Sequence, residues 1–459
     1  MFRDNLPLIL ASWLIVVFIL AIARHRRHVG GVGLVMAYVL SLTMIHWAAA
    51  VLYILPWYRG ENGVFTTAGA EQSLYALMAF AFGSLAIAPF VVQSGILPRA
   101  TGVHEIDPRL PKTYMYMGAF LFFLSSTSIG SLPSISAILS TGQLLIVVGL
   151  ALCWWQAWRA GDRKMMTTWL MLAFSMPILT VFSRGFISSG AEAAVIFLVF
   201  ISNFSRSKVR LVIIGFVLAY VALSVYVTYM RDRKEIRQSV WGGDSLSDRF
   251  SRFEKSASTF EFFDIYNNEH LTRIDDRLNQ SYLVGAAVIH LEETKGYANG
   301  ETLYDAILAL IPRVFWPDKP IEAGSGNLVS RFTGLYFLTG GGQTSVGIGS
   351  VMELYANFGT MGILVGFAVI GIVITALDTL ATERLANSDL NGFVLFFLPG
   401  LSLLQVGGQF VEETASAAGA IVIALMVNRY LHKYQRKIQL PASIGPGMPG
   451  APPVLHHRP

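Results

Sequence analysis

The segment LPLILASWLIVVFILAIA (residues 6–23) contains eighteen consecutive residues without a charged side chain. A helix of about 20 residues crosses the hydrocarbon core of a bilayer, because each residue advances about 1.5 Å along a core about 30 Å thick. The segment is therefore predicted to be a membrane-spanning helix. No basic region precedes it, so we interpret it as a span and not as a cleavable signal peptide.

The composition of the whole chain agrees with this prediction. Of its 459 residues, 54% are hydrophobic and only 14% are charged, and the mean hydropathy is +0.54. Soluble globular proteins carry about 25% charged and about 45–50% apolar residues. A soluble protein of this length is excluded, because it could not remove so much apolar surface from water. The single cysteine, Cys153, excludes a disulfide framework and a cysteine-based metal site.

Apolar runs of similar length recur along the chain. They predict an all-α polytopic membrane protein with about 11 transmembrane helices. The predicted spans are residues 6–23, 31–55, 72–92, 114–132, 137–157, 167–183, 190–204, 211–229, 350–377, 392–407 and 414–428. Two groups of spans result, one before and one after a long stretch that contains none.

That stretch is also where charge is concentrated. Residues 230–345 hold 13 basic and 16 acidic side chains, which is 29 of the 63 charges in the chain. This density is ordinary for a soluble protein, so the stretch is predicted to be one large external insert. The predicted organisation is an N-terminal membrane bundle of about eight spans at 1–229, an external loop with short helices at 230–349, a C-terminal bundle of about three spans at 350–428, and a disordered cytoplasmic tail at 429–459.

The short loops between spans differ in basic charge. Lysine and arginine gather after every odd-numbered span, at residues 24–27, 99–112, 159–164, 206–210, 384 and 429–437. Short loops rich in lysine and arginine remain on the cytoplasmic side. The N-terminus and the insert are therefore predicted to lie outside and the C-terminus inside. The basic remainder of the chain is assigned to these loops and not to nucleic acid, which is not an expected partner.

Arginine is the dominant cation of the insert, where it outnumbers lysine nine to four. Its planar fork binds two phosphate oxygens at once, and a diphosphate-linked lipid is the natural anionic ligand at an outer membrane surface. Arg313 lies in the proline-rich stretch IPRVFWPDKP, where it is either a diphosphate ligand or an ion-pair partner of Asp318 or Glu322. Lys319 has the same two interpretations.

Two further charged residues lie at predicted span ends. Arg184 occupies a short external turn between the sixth and seventh spans, where it either binds substrate or extends to lipid headgroups. Glu353 lies in MELYANFG (352–359), where an external loop enters an apolar helix. A carboxylate half-buried there can act as a general base, or it can neutralise an arginine. Glu192, Glu412 and Glu413 are weaker candidates.

Other kinds of site find little support in the sequence. His46 and His290 lie in apolar segments, where a histidine is more often a core residue than a catalyst. A nucleotide-binding glycine loop, a zinc-binding HExxH and a Gly-x-Ser-x-Gly elbow do not occur in the sequence. We therefore expect no cofactor and no metal.

Three segments resemble bacterial O-antigen and oligosaccharide repeat-unit polymerases of the Wzy type. They are SRG (183–185), IPRVFWPDKP (311–320) and ELYANFGTMG (353–362). The resemblance implies a metal-independent membrane glycosyltransferase in the bacterial cytoplasmic (inner) membrane. Its substrates would be polyprenyl-diphosphate-linked oligosaccharides, joined on the outer face by inverting transfer with diphosphate as the leaving group. Membrane lipids, a chain-length regulator and a flippase are the implied partners.

The same resemblance implies roles for individual residues. Family members carry external arginines in an Arg-x10-Gly pattern, which Arg231, Arg313 and Arg331 match here. These arginines, with Arg184 and Lys319, would stabilise the diphosphate, and Arg313 would act in catalysis. Glu353 would be the catalytic base, and its neighbours Tyr355 and Asn357 would contact substrate.

Two other functions remain open. An O-antigen ligase shares this architecture but usually relies on a histidine in the large external loop, where this chain has only His270 and His290. A transporter or flippase for a lipid-linked sugar would show paired half-sequences and charge near the membrane midplane, and neither is evident. A non-catalytic scaffold of an export complex is a third alternative.

Overall fold

A computed structural model describes residues 5–26, 31–100, 102–105, 107–125, 127, 135–205, 208–311, 316, 318–319, 324–335 and 346–431, with the backbone alone at 135–137, 184, 208–209 and 246. Every extended regular element in these residues is helical, which confirms the predicted all-α class. The helices are α1 (Leu6–Arg26), α2 (Leu34–Leu42), α3 (Gly63–Phe82), α4 (Ala88–Gln93), α5 (Leu110–Ser125), α6 (Ile135–Ala160), α7 (Arg163–Phe174), α8 (Met176–Arg184), α9 (Ser188–Ser202), α10 (Lys208–Trp241), α11 (Leu246–Ser258), α12 (Asn268–Leu278), α13 (Gln280–Thr294), α14 (Glu301–Ala309), α15 (Ser325–Thr333), α16 (Ser350–Ala386), α17 (Leu390–Ser402) and α18 (Phe410–Leu431).

Seven helical segments are long and apolar enough to cross a membrane. They are Leu6–Arg26, Gly63–Gln93, Ile138–Ala160, Arg163–Ser183, Arg210–Trp241, Ser350–Ala386 and Phe410–Leu431. Three shorter apolar helical segments accompany them, Leu34–Trp47, Ser188–Ser202 and Leu390–Ser402. These segments fit a helical membrane protein, and each of the eleven predicted spans overlaps a helix. The number of eleven spans itself stays a prediction.

Several predicted spans are broken helices. The span predicted at 31–55 consists of α2, a π-helical turn at Thr43–Trp47 and a 3-10 turn at Ala50–Ile54. In α16, Phe358 and Gly359 leave the helical conformation, and Gly359 has φ 62° and ψ −152°. That region of the backbone is open almost only to glycine. The first eight residues of α16 therefore form a short buried helix of their own.

One helix of the insert is shorter than its sequence predicts. The spacing of Phe250, Phe253, Phe260 and Phe263 predicts an amphipathic helix over residues 248–267, but α11 ends at Ser258, so Phe260 and Phe263 lie beyond it. The apolar segment at 280–291 is too short to span the membrane, so its sequence predicts a re-entrant segment or a packed helix; it forms α13, which packs along α3 in the core of the bundle. A Cβ atom on Gly69 would lie 1.8 Å from the Ser281 carbonyl oxygen, and one on Gly285 would lie 1.7 Å from the Phe65 carbonyl oxygen. The two helices are in backbone contact, which only glycine permits at these positions.

The loops with basic residues meet at one end of the bundle. Arg24 forms a buried ion pair with Asp378, near the end of α16. Arg384 donates to the Pro98 carbonyl oxygen at 3.0 Å, and Arg159 donates to the Ser388 hydroxyl at 3.2 Å. The insert contacts the other end, where the first turns of α16 and α18 lie.

Candidate functional site

Glu353 is the most deeply buried of the predicted site residues whose side chains the structure describes. It lies in the first turn of α16 and its exposed fraction is 0%. One carboxylate oxygen, Oε2, accepts a hydrogen bond of 2.8 Å from the backbone N–H of Phe410. The other oxygen, Oε1, has no hydrogen-bond partner within the described ranges, although the Thr302 hydroxyl approaches the same carboxyl. Glu353 thus keeps one oxygen with an unused lone pair in a buried position.

A second carboxylate, that of Glu413, lies beside it. The Ser350 hydroxyl donates to Glu413 Oε1 at 2.9 Å. Ser350 is the first residue of α16 and Phe410 is the first residue of α18, so each glutamate contacts the start of the other helix. Helix N-termini carry partial positive charge, which reduces the cost of burying the two carboxylates. An ion pair to a basic side chain is absent for both within the described part of the chain.

Asn357 and Tyr355 lie on the same short helix and are both buried. Asn357 Oδ1 accepts from the Gly300 backbone N–H at 2.8 Å, and its Nδ2 donates to the Thr302 hydroxyl at 2.7 Å. The ring of Tyr355 lies 6.3 Å from that of Tyr297. These contacts join the loop before α14 to α16, so Asn357 positions the helix that carries the buried carboxylate.

A cavity of about 310 Å³ lies where α12 meets α13. Asp276, Arg277 and Gln280 contribute polar groups to its lining. The amide of Gln280 contacts the loop before α18, where its Nε2 is 3.5 Å from the Gly407 carbonyl oxygen, and also the loop before Ser350. A Cβ atom at Gly349 would meet Gln280 Oε1 at 2.4 Å. The cavity therefore borders the segment from which α16 and its carboxylate begin.

Two arginines of the Arg-x10-Gly pattern already have acidic partners. Arg331 forms two parallel hydrogen bonds with Glu301, of 2.9 and 2.8 Å, and these lower the pKa of the Glu301 carboxyl. Arg231 pairs with Asp232 and Glu261, each at 2.7 Å, and lowers the pKa of Glu261. Their guanidinium groups link segments about 30 residues apart in the chain, and their ion pairs give both a structural role.

The remaining predicted cations occupy different positions. Lys319 is buried, and its Nζ lies 3.3 Å from the Leu308 carbonyl oxygen at the end of α14. Arg184 is the last residue of α8, where the structure describes its backbone only. Arg313 lies outside the described residues.

His46 has one ring nitrogen in a defined environment. The Ser73 hydroxyl donates to the Gly69 carbonyl oxygen, and the Ser281 hydroxyl donates to the His46 carbonyl oxygen. Both hydroxyl oxygens are therefore acceptors for His46 Nδ1, at 3.0 and 3.3 Å, so we assign the ring proton to Nδ1. Its Nε2 is a buried acceptor without a partner in the portion of the chain described. One ring nitrogen of His46 is thus hydrogen-bonded, and the other has no partner within the described residues.

His270 has hydrogen-bond partners at both of its ring nitrogens. His270 contacts Glu261 through Nε2 at 3.2 Å, and its Nδ1 accepts from the Asp264 backbone N–H at 3.1 Å. Both ring nitrogens therefore have structural partners. Among the residues that the structure describes, no three of histidine, cysteine, aspartate and glutamate are placed to hold a metal ion.

Sequence reasoning missed two residues that the structure brings to this region, and it ranked a third, Glu413, below Glu353. The partner of Glu413, Ser350, is 63 residues away in the chain, so the sequence does not show their contact. Arg277 is one of nine arginines in the insert, and it does not match the Arg-x10-Gly pattern that distinguishes three of the others. Gln280 begins a short apolar run, and no pattern in that run marks its amide as part of a cavity wall.

Comparison with known proteins gives one match. A family model described as a domain of unknown function (DUF8712) matches residues 72–433. The matched range contains Glu353, Glu413, Arg277 and all helices from α5 to α18. No curated protein and no solved structure matches the chain.

Proposed function

The chain belongs to the DUF8712 family, and we propose that it polymerises polyprenyl-diphosphate-linked oligosaccharide repeat units on the outer face of the bacterial cytoplasmic membrane. In this reaction a sugar hydroxyl of one unit attacks the anomeric carbon of a second, diphosphate-linked glycan. A carbon–oxygen bond forms as the bond to the diphosphate breaks, with inversion at the anomeric carbon. The hydroxyl proton passes to a base, and the lipid diphosphate leaves.

The observation that carries this proposal is the state of the Glu353 carboxyl. A general base needs a carboxylate oxygen with an available lone pair, held in a fixed orientation. Glu353 Oε2 is held by the Phe410 N–H, while Oε1 has no hydrogen-bond partner among the residues described. The same helix carries the ELYANFG motif, which supports the resemblance to Wzy-type polymerases.

The orientation in the membrane belongs to the same proposal. Basic loops meet at one end of the bundle, through Arg24, Arg159 and Arg384, and such loops favour the cytoplasmic side. Glu353 lies toward the opposite end, together with the insert. We propose eleven spans, an external N-terminus and a cytoplasmic C-terminus, which places Glu353 where lipid-linked repeat units are exposed to the outer face.

Roles for the predicted cations follow from their contacts. Arg184 and Arg313 remain our candidates for stabilising the leaving diphosphate, on the resemblance of SRG (183–185) and IPRVFWPDKP (311–320) to Wzy-type polymerases. Arg231 and Arg331 would contact the diphosphate only after releasing their glutamates. Lys319 is directed at the end of α14, which favours its structural interpretation.

The test replaces the chromosomal gene with one encoding Glu353→Gln, which keeps the size of the side chain and removes its basicity. Glu254→Gln, an exposed position on α11, is the matched control. Surface glycans are then resolved by gel electrophoresis, with protein levels checked by immunoblot. We expect single repeat units in the Glu353 variant and long chains in the control.

Two results would contradict the proposal. Long chains at normal abundance in a well-expressed Glu353→Gln strain would remove the base from the mechanism. Long chains that accumulate on the lipid carrier and fail to reach lipid A would assign the protein to the ligase reaction instead.

A further inference from the structure

Three arginines lie on α10 and α12, two helices that contact each other where Arg273 donates to the Val227 carbonyl oxygen at 3.2 Å. Arg233 and Arg237 are one turn apart on α10, and Arg277 lies at the end of α12. The charges of Arg277 and Arg237 both act on Arg233, and the charge of Arg237 acts on Arg277. Like charges at such spacing on a helix repel one another, so the arrangement costs free energy in the absence of an anion.

The lack of an ion pair in the described part of the chain distinguishes these three residues from Arg231 and Arg273 of the same two helices. Arg231 and Arg273 each form ion pairs with glutamate at 3.1 Å or less. Arg233, Arg237 and Arg277 form none within the ranges that the structure describes. Burial lowers the pKa of the Arg277 guanidinium, and the charge of Arg237 acts in the same direction. Three partly buried cations thus share one region, in which the charge of Asp276 acts on Arg277 without forming an ion pair with it in the described residues.

The surrounding groups hold this arrangement in place. The guanidinium of Arg237 lies 4.3 Å from the ring centre of Phe186 and 5.3 Å from that of Trp241. The Tyr229 hydroxyl donates to the Gly185 carbonyl oxygen at 2.8 Å, and the same hydroxyl is a hydrogen-bonding neighbour of Arg233. Aromatic side chains therefore order the cations without neutralising their charge.

We propose that Arg233, Arg237 and Arg277 form a binding site for a phosphate-class oxyanion of at least two negative charges. Guanidinium groups grip phosphate oxygens through charge-assisted, paired hydrogen bonds, and three of them match a diphosphate better than a single carboxylate. Arg277 also lines the 310 Å³ cavity beside Gln280, so a group attached to the anion can extend into that space.

Two sources carry this chemistry at a membrane surface. One is the diphosphate of a lipid carrier, and that identification rests on the function proposed above. The other is the phosphate headgroup of a membrane phospholipid, and that identification does not depend on the proposed function. The anion site itself stands on the arginine arrangement and is independent of both.

The experiment measures binding of inorganic pyrophosphate to the purified full-length protein in detergent micelles, by isothermal titration calorimetry. The variants are Arg277→Ala and Arg233→Ala, and Arg252→Ala is the control, because Arg252 is an exposed arginine of the insert whose nearest acidic contact is 3.8 Å. We expect each site variant to weaken binding about tenfold or more, since a hydrogen bond to a charged group contributes roughly 1.5–3 kcal/mol. The control should bind as the wild type does.

A thermal unfolding measurement distinguishes loss of the binding site from misfolding of the variant. Arg277→Gln removes a repelled charge and breaks no ion pair, so its thermal unfolding midpoint without ligand should equal or exceed that of the wild type. A lowered midpoint would make Arg277 a structural residue and overturn the site. Equal pyrophosphate affinity in wild type and Arg277→Ala, or no binding to wild type, would overturn it as well.

Competition distinguishes the two sources. Displacement of pyrophosphate by geranylgeranyl diphosphate, and not by dihexanoyl phosphatidylglycerol, identifies a carrier site. Displacement by the phospholipid identifies a headgroup site. If pyrophosphate binding depends on Arg277 while the Glu353→Gln strain makes normal glycan, the proposed function fails and the anion site stands. If the glycan is lost and pyrophosphate does not bind, the function stands and the site fails.

Discussion

Glu353 and Glu413 each accept a hydrogen bond from the first residue of the other's helix. The Phe410 N–H reaches Glu353 at 2.8 Å, and the Ser350 hydroxyl reaches Glu413 at 2.9 Å. In each helix the first residue is the donor and the glutamate three residues later is the acceptor. Each helix therefore gives one hydrogen bond to the other and receives one from it. The crossed bonds fix the relative positions of the two helix starts and the direction in which Glu353 faces.

Replacing Ser350 with alanine tests this crossed arrangement. The change leaves Glu413 Oε1 buried without its donor, which costs about 1–3 kcal/mol of unfolding free energy. The measurement is the thermal unfolding midpoint in detergent, compared with Ser251→Ala at an exposed position on α11. Equal midpoints for the two variants would show that the Ser350 contact contributes nothing to stability.

The Glu261 carboxyl makes the stability of the insert depend on pH. Hydrogen bonds from Arg231, and after it Arg273 and His270, lower the pKa of this carboxyl below its ordinary value. A carboxyl with a lowered folded-state pKa stabilises the fold above its unfolded pKa of about 4.3, and this contribution is lost as the pH falls through the folded-state value. We expect the thermal unfolding midpoint of the wild type to decrease as the pH is lowered below about 5.

Glu261→Gln provides the comparison for that pH series. An amide does not titrate in this range, so the variant should start lower at neutral pH and lose less stability toward pH 3. Glu254→Gln, which removes an exposed carboxyl of α11 from outside this network, should follow the wild-type curve. Parallel curves for Glu261→Gln and wild type would contradict the linkage.

A charge exchange separates pairing from substrate binding at Arg331. If its two hydrogen bonds with Glu301 define its role, then Arg331→Ala and Glu301→Ala should each cost less than about 1 kcal/mol, because the pair is half exposed. The double variant Arg331→Glu with Glu301→Arg should recover that stability and make glycan of normal length. Loss of long glycan in the double variant would instead require Arg331 at its own position.

Gly359 sets the break that isolates the first turns of α16. An alanine there must adopt φ 62° and ψ −152°, which costs about 1–3 kcal/mol, although its Cβ would come no closer than 3.9 Å to a neighbour. Gly215→Ala is the control, because that glycine lies inside α10 with open space around it, and alanine favours a helix. We expect a lower midpoint for Gly359→Ala and an equal or higher one for Gly215→Ala.

Much of the fold was predictable because the bilayer imposes its length on apolar segments. Every predicted span overlaps a helix, since uncharged runs of that length have few other stable forms in a membrane. The breaks were not predictable from hydropathy. The π-helical turn at Thr43–Trp47 and the kink at Gly359 depend on backbone geometry within runs that remain apolar throughout.

The site was predictable only where a single residue carries the signal. Glu353 was a candidate from the sequence because a carboxylate half-buried where an external loop enters an apolar helix can act as a general base. Arg231 and Arg331 were harder to judge, because their glutamates lie about 30 residues away in the chain and no spacing rule links them. The arginine group at 233, 237 and 277 depends on how two helices meet, which composition does not determine.

The backbone contact between Gly69 and Gly285 bears on how this protein can be engineered. One glycine belongs to the membrane bundle and the other to the segment that the sequence marks as external, so the two regions are not interchangeable modules. A chimera that transplants the insert from a relative would carry α13 onto a foreign α3 and meet a clash wherever either glycine is missing. Exchange of the insert between family members therefore requires α3 and α13 to be transferred together.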